Sequence, residues 1–184
     1  MEMFNTIATK AGIWRRGVFI DAQNIFMCTK VTHPNHYMNY QGLIEFLSKE
    51  EAVSTFTIFY PVDPANVSQT KFVMALALMD YRVVTKPIKK LPDGSIKANM
   101  DMEMALEILD QAPFLDEIVI ASGDGDFVSL IDRLARMGKR VVVIGPDLFS
   151  SHELIQACHE FVNLSQIPGF LETRKGEGDL TIFV

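Results

Sequence analysis

Four aspartates stand where a chain of this kind can do chemistry. Asp21 closes a short apolar run, Asp124 and Asp126 alternate with glycines in Ser122-Gly-Asp-Gly-Asp-Phe127, and Asp101 opens an amphipathic stretch. Gathered in one small site, such carboxylates repel by about a few kcal/mol per close pair at an effective dielectric near ~20, and their pKa values rise unless a cation intervenes. A divalent ion relieves that repulsion. Ligation by oxygen alone, with no His or Cys in the set, favours Mg²⁺ or Mn²⁺ over Zn²⁺. A metal held this way activates water and steadies the charge that develops on a phosphodiester during in-line attack.

Each aspartate also has a plainer role. Asp is a favoured helix N-cap, so Asp21 and Asp126 could simply accept bonds from the opening turn of the next helix. Asp101 heads a helix whose Glu103, Glu107 and Asp110 form an acidic stripe expected to face solvent. At about 100° per residue, Asp101 falls roughly 160° from the centre of that stripe and shares the face of Ala105 and Ile108. A carboxylate there is costly unless it has a partner or a metal, although interaction with the helix dipole is the structural alternative.

The Gly-Asp-Gly-Asp segment lacks the third glycine of a phosphate-binding turn and carries anions where phosphates would sit. It is no EF-hand either, because the twelfth position counted from Asp124 is Ala135. Its glycines are expected to let the backbone turn tightly so that both carboxylates face one site. Asn24, one helical turn after Asp21, could orient water or a phosphate or make a local helix-start bond. Ser122 could bind a phosphate or simply pack. Lys86, Lys89, Lys90 and Lys97 could track a nucleic-acid backbone or be merely solvated. His33, His36, His152 and His159 share no ligand spacing, and Ser150-Ser-His-Glu153 matches a capping box.

The elements that must position these residues alternate along the chain. Apolar runs at 17–20, 55–60, 82–85, 117–121 and 140–144 read as buried strands, and helical patterns fall at 22–29, 42–49, 66–79, 101–112, 127–137 and 153–159. Continuous rather than alternating hydrophobicity in the strands indicates a mostly parallel sheet covered by helices on both faces, a three-layer α/β/α sandwich. Ligands of such folds collect at the carboxyl ends of the strands, where Asp21, Asp124 and Asp126 lie. A Pro-Asp-Gly turn signal between Lys86 and Lys97 predicts a protruding basic hairpin. Residues 173–179 read as a flexible tail before the apolar Ile182-Phe-Val184, which, like an exposed edge strand, offers a surface for pairing two copies.

At 184 residues and 48% hydrophobic, the chain can bury a core without disulfides. Its two cysteines, Cys28 and Cys158, match no metal spacing and read as reduced, buried thiols. With no secretory leader pattern and no stretch long enough to span a bilayer, a cytoplasmic location is expected. The net charge of −6 argues against coating of nucleic acid by the whole surface, while a local basic stripe remains compatible.

Phe19-Ile-Asp-Ala-Gln-Asn24, Lys97-Ala-Asn-Met-Asp101 and Ser122-Gly-Asp-Gly-Asp-Phe127, with the strand entry Gly138-Lys-Arg-Val-Val-Val and the pattern over 154–164, together resemble the NYN domain, the LabA-like branch of the PIN-like nuclease superfamily. The resemblance spans roughly residues 16–164, leaving 1–15 as a lead-in and 165–184 as an extension. It implies a PIN-like sandwich with a Mg²⁺-dependent ribonuclease site, in which Asp21, Asp101, Asp124 and Asp126 match the acidic positions and Asn24 the accompanying polar one. His159 departs from the family pattern, in which an aspartate often stands near the final strand. Hydrolysis of RNA by metal-activated water is the leading expectation. The alternatives are a noncatalytic RNA-binding or regulatory module that keeps the acidic site, and a phosphotransfer domain with Asp21 as nucleophile, which the Gln at position 23 disfavours.

Overall fold

The computed structural model describes residues 14–48, 52–90 and 96–173. In chain order the elements are β1 (Trp14–Asp21), α1 (Ala22–Thr32), β2 (His36–Met38), α2 (Tyr40–Leu47), β3 (Ala52–Val62), α3 (Val67–Leu78), β4 (Arg82–Pro87), β5 (Lys89–Lys90), β6 (Ile96–Lys97), α4 (Asp101–Gln111), β7 (Glu117–Ala121), α5 (Val128–Arg136), β8 (Arg140–Gly145), α6 (His152–Ala157), β9 (Glu160–Asn163) and β10 (Leu171–Thr173). Six strands form one parallel sheet in the order β4-β3-β1-β7-β8-β9. The chain steps outward from β1 to β3 and β4, then returns to β7 on the other flank of β1. That reversal creates a switch point between β1 and β7, where neighbouring loops leave in opposite directions and open a crevice.

Side-chain alternation along the strands divides the interior into two apolar layers. Val18, Ile20, Ile58, Val119 and Ile144 join α1, α2 and α3 on one face; Phe19, Ile118, Ile120, Val141 and Val143 join α4, α5 and α6 on the other. Burial on both faces explains why these strands read as continuous apolar runs. At the amino edge of the sheet the strands carry charge instead. Glu117 of β7 lies between Arg16 of β1 and Arg140 of β8, bonding both, and Arg140 continues the ladder to Glu160 of β9. Both Arg16 and Glu117 are buried.

The five expected strands are present, most of them longer than their apolar runs. Three further strands carry weaker sequence signals. β2 and β10 pair with each other across more than 130 residues, and β9 adds to the sheet directly after α6, which is shorter than the predicted 153–159 helix. The capping box is shifted by one position. Ser151, not Ser150, accepts the Leu154 N–H, because Ser150 is drawn inward and its hydroxyl donates to the Pro146 carbonyl at 2.7 Å. The basic hairpin is present as the antiparallel pair β5 and β6, in which Lys89 faces Lys97 and Lys90 faces Ile96, whereas Lys86 belongs to β4. Its turn, the lead-in through residue 13 and the tail from residue 174 with Ile182-Phe-Val184 lie outside the described residues.

Residues 165–173 belong to the packing of the domain. Ile167 and Phe170 are buried in the same layer as Tyr40 and Tyr81, and a Cβ added to Gly42 of α2 would meet the Gly169 carbonyl oxygen at 2.1 Å. Gly169 itself has φ +75°, which favours glycine. Gly42→Ala is therefore expected to lower stability by about 1–3 kcal/mol, read from the urea midpoint, since the colliding atom is backbone and cannot swing aside. An unchanged midpoint would show that α2 and this segment separate freely. Both cysteines are half-buried rather than buried, and free. Among the described residues no helix is long and apolar enough to cross a membrane.

Candidate metal centre

The register of β1 against β7 sets Ile20 beside Ala121, so Asp21 and Ser122 emerge together at the switch point. Asp21 does two things at once. Its Oδ1 caps α1 by accepting the Asn24 N–H at 3.0 Å, and its Oδ2 faces the Ser122 hydroxyl at 3.5 Å. The capping and site roles of this residue are thus compatible. Asn24 stitches the two strand ends together, because its Oδ1 accepts the Gly123 N–H at 2.9 Å. What Asn24 can offer a ligand is consequently its Nδ2.

The glycines of the acidic loop serve a different purpose from the one expected. Neither Gly123 nor Gly125 adopts a positive φ. They let the loop lie close against the segment after β8: an added Cβ would meet Phe149 O and Ser150 Oγ at 3.0 Å from Gly123, and Ser151 Oγ at 2.9 Å from Gly125. Ser122 is fully buried; its Oγ accepts the Asp124 N–H at 3.2 Å, which places it behind the carboxylates and out of reach of a phosphate. Asp124 then accepts the Asp126 N–H through Oδ1 at 3.0 Å, leaving Oδ2 for a ligand.

Asp101 arrives from the other side of the crevice as the first residue of α4, where an acidic residue also suits the helix dipole. Asn99 brackets it, accepting its N–H at 2.9 Å and donating its own amide to Oδ2. Sequence reading missed Asn99, although an Asn two residues ahead of a helix start is a recognisable local signal. One carboxylate oxygen from each of Asp101, Asp124 and Asp126 lies within 4.8 Å of the others. Asp21 is outside this tight group but lines the same crevice, of about 410 Å³, with Asp101, Asp124 and Asn24. The donor set fits a hard divalent cation: convergent carboxylates from separate segments, exposed enough at Asp126 for solvent to complete the shell.

Electrostatics follow from this geometry. Burial, reinforced by the charges of Asp101 and Asp124 and opposed by the Asn24 N–H, lifts the Asp21 carboxyl to about 6. Asp101 is also raised, first by burial, then by Asp124, Asp126 and Glu103, against the Asn99 amide. Between the ordinary value of 3.8 and about 6, folded Asp21 holds a proton that the unfolded chain has released. Stability therefore falls as pH rises through that window, by an amount on the order of 3 kcal/mol for this group when metal-free. Asp21→Asn should stabilise the metal-free protein by about 2 kcal/mol at pH 7, a gain that disappears below pH 4. Urea titrations at both pH values, with EDTA present, measure it; an equal effect at both would assign Asp21 to capping alone.

The remaining expected residues separate into groups. The Glu103 and Glu107 stripe is paired rather than free in solvent, Glu103 with Lys86 at 2.5 Å and Glu107 with Arg82. Lys86 also reaches the Asn99 carbonyl oxygen at 3.4 Å, so it supports the approach to Asp101. Lys89 is exposed on the hairpin, and Lys90 and Lys97 are placed by their backbone in the same ladder. His159 lies at the amino end of the sheet, where its Nδ1 accepts the Val141 N–H at 3.1 Å, far from the carboxylates at the opposite edge. Its departure from the family pattern does not touch the site. A nucleophilic Asp21 is disfavoured, because both of its oxygens are engaged and the group is largely buried.

The NYN domain profile matches residues 15–165. The chain is 29% identical over 168 residues to the Low amplitude and bright protein LabA of Synechococcus elongatus, a match covering 86% of this chain and 88% of LabA. A crystal structure of a protein of unknown function from Vibrio parahaemolyticus superposes with a TM-score of 0.78 at 24% identity, over 89% of this chain and all of that one, and so shares the fold. With a parallel α/β sandwich, an acidic cluster at its switch point and a profile match over most of its length, this chain belongs to the NYN domain family.

Proposed function

We propose that this protein is an endoribonuclease that hydrolyses RNA phosphodiester bonds with Mg²⁺ or Mn²⁺. The observation that carries the reading is the convergence of Asp101, Asp124 and Asp126 within 4.8 Å, beside Asp21, in a crevice open to solvent. NYN and related PIN-like nucleases generally use divalent metals, and the family is typically RNA-binding. Asp101, Asp124 and Asp126 would hold the cation, with Asp21 completing the negative wall. When bound, the ion lowers the pKa of water and offsets charge on the phosphodiester oxygens.

The chain's own residues supply the rest. Asp21 accepts the Asn24 N–H through Oδ1 and the Ser122 hydroxyl through Oδ2, so it adds negative charge to the crevice wall while tying the ends of β1 and β7 together. Asn24 fixes the loop through Oδ1 and presents Nδ2 to the crevice. Asn99 and Ser122 hold Asp101 and Asp124 from behind. Incubation of purified protein with end-labelled single-stranded and structured RNAs, with Mg²⁺, Mn²⁺ or EDTA, tests the reading. Metal-dependent cleavage is the expected result. RNA bound but never cut would favour the noncatalytic module instead, and neither binding nor cleavage would remove both.

A further inference from the structure

The crevice of the metal centre does not end at the carboxylates. A second hollow of about 150 Å³, lined by Pro61, Lys86, Pro87, Lys89, Ala98 and Asn99, shares Pro61, Ala98 and Asn99 with it. The two are one trench. Its direction is set by the sheet: Asp21 is level with Phe59 of β3, and Pro61 and Val62 are level with Lys86 and Pro87 of β4. The trench therefore leaves the switch point across the carboxyl ends of β3 and β4 and finishes at the β5–β6 hairpin.

Its chemistry changes along that path. Near β1 the wall is acidic. Over β3 and β4 it becomes apolar, with two proline rings and the Ala98 methyl, and at the far end two lysines stand on the rim. Those lysines are not equivalent. Lys86 is neutralised by Glu103 and spends a second contact on the Asn99 carbonyl, so its charge is already used in holding the segment before Asp101. Lys89 forms no ion pair with another described residue and is exposed, so of the two lysines lining the trench it is the one whose charge is available to a ligand.

We infer that this trench is the subsite for the nucleotide next to the cleaved bond: Lys89 takes that nucleotide's distal phosphate, Pro61, Pro87 and Ala98 face its sugar and base, and Lys86 is a positioning residue for the Asn99–Asp101 segment. The inference rests on the RNA reading and adds to it the direction of the strand across the sheet and one phosphate contact. A base can lie against Pro61, Pro87 and Ala98 only when it has left a duplex stack, so the ligand is an unpaired stretch of RNA. Proline rings and a methyl group pack against any base, so the subsite selects for a single strand without selecting sequence.

Binding of a short fluorescein-labelled oligoribonucleotide, followed by anisotropy with Ca²⁺ in place of Mg²⁺ and over a series of salt concentrations, tests it. Each phosphate contact on a single strand contributes about 0.7 to the slope of log K against log salt. Lys89→Ala is expected to weaken binding several-fold and reduce the slope by about 0.7, while Lys89→Arg retains both. The charge-neutral double replacement Lys86→Ala with Glu103→Ala is expected to leave the slope unchanged. If wild-type protein binds and Lys89→Ala keeps the wild-type slope, or the double replacement lowers it, the trench assignment is overturned and the metal-centre reading stands. If wild-type protein does not bind the oligoribonucleotide at all, the RNA reading falls with it.

Discussion

Replacing Asp124 with Asn is expected to reduce metal-dependent RNA cleavage by at least about 100-fold while leaving the fold intact. Changing a residue behind a metal ligand typically costs about 10–100-fold in affinity or activity, so loss of a ligand should cost no less. Asp124 is the informative position because it belongs to the tight group and its charge also raises Asp21 and Asp101. An asparagine keeps an Oδ1 that can accept the Asp126 N–H, so the loop retains its local bond. Removing one negative charge from a crowded site should leave the metal-free melting temperature unchanged or raise it. Cleavage rates with Mn²⁺ and thermal melts with EDTA give both readouts. Wild-type rates in this variant would exclude the cluster from the chemistry, and an unfolded variant would assign Asp124 to structure.

The second large effect lies at the opposite edge of the sheet. Glu117→Ala is expected to destabilise the protein by about 3–5 kcal/mol, because it removes the carboxylate that bonds both Arg16 and Arg140 in a buried setting. Arg16 also donates to the Leu47 carbonyl at 2.7 Å, so the loss would spread from the sheet into α2. The replacement leaves guanidinium charge in a region where water cannot fully compensate it. That penalty is a large share of a domain stability of about 5–15 kcal/mol. Urea denaturation gives the number directly, and a change below about 1 kcal/mol would show that the ladder is screened like a surface pair. Because Glu117 lies far from the crevice, folded Glu117→Ala protein at low temperature should keep its metal-dependent activity.

These two replacements separate what the two edges of one sheet do. Strand interiors are apolar on both faces, so charged residues can sit only where strands begin or end. At the amino edge the charges alternate in sign along neighbouring strands and neutralise one another. At the carboxyl edge they share a sign, and burial, with their mutual repulsion added to it, raises the carboxyls of Asp21 and Asp101. Repulsion retained in a fold is a cost that a bound cation can relieve. That asymmetry is why the carboxyl edge reads as a site and the amino edge as scaffold.

Much of this was legible in the chain. Apolar runs of four to six residues, each followed by a helical pattern, determined that the protein is an α/β sandwich, because burial on both faces of a parallel strand requires such runs. Aspartates at the ends of those runs had to share an edge once the strands were parallel, so Asp21 and Asp124 were local facts with a global consequence. The phase of α4 likewise placed Asp101 away from its acidic stripe. Which strands are neighbours, however, is settled by packing between distant segments. The order that sets β1 beside β7, and hence Asn24 against Gly123 and Asn99 beside Asp101, exists only in the tertiary structure. The same holds for the Lys86–Glu103 pair, the burial of Ser122 and the close approach of Gly123 and Gly125 to the segment after β8. Hydrophobic periodicity is written along the chain, whereas partners across space are chosen by complementary surfaces that no single segment carries.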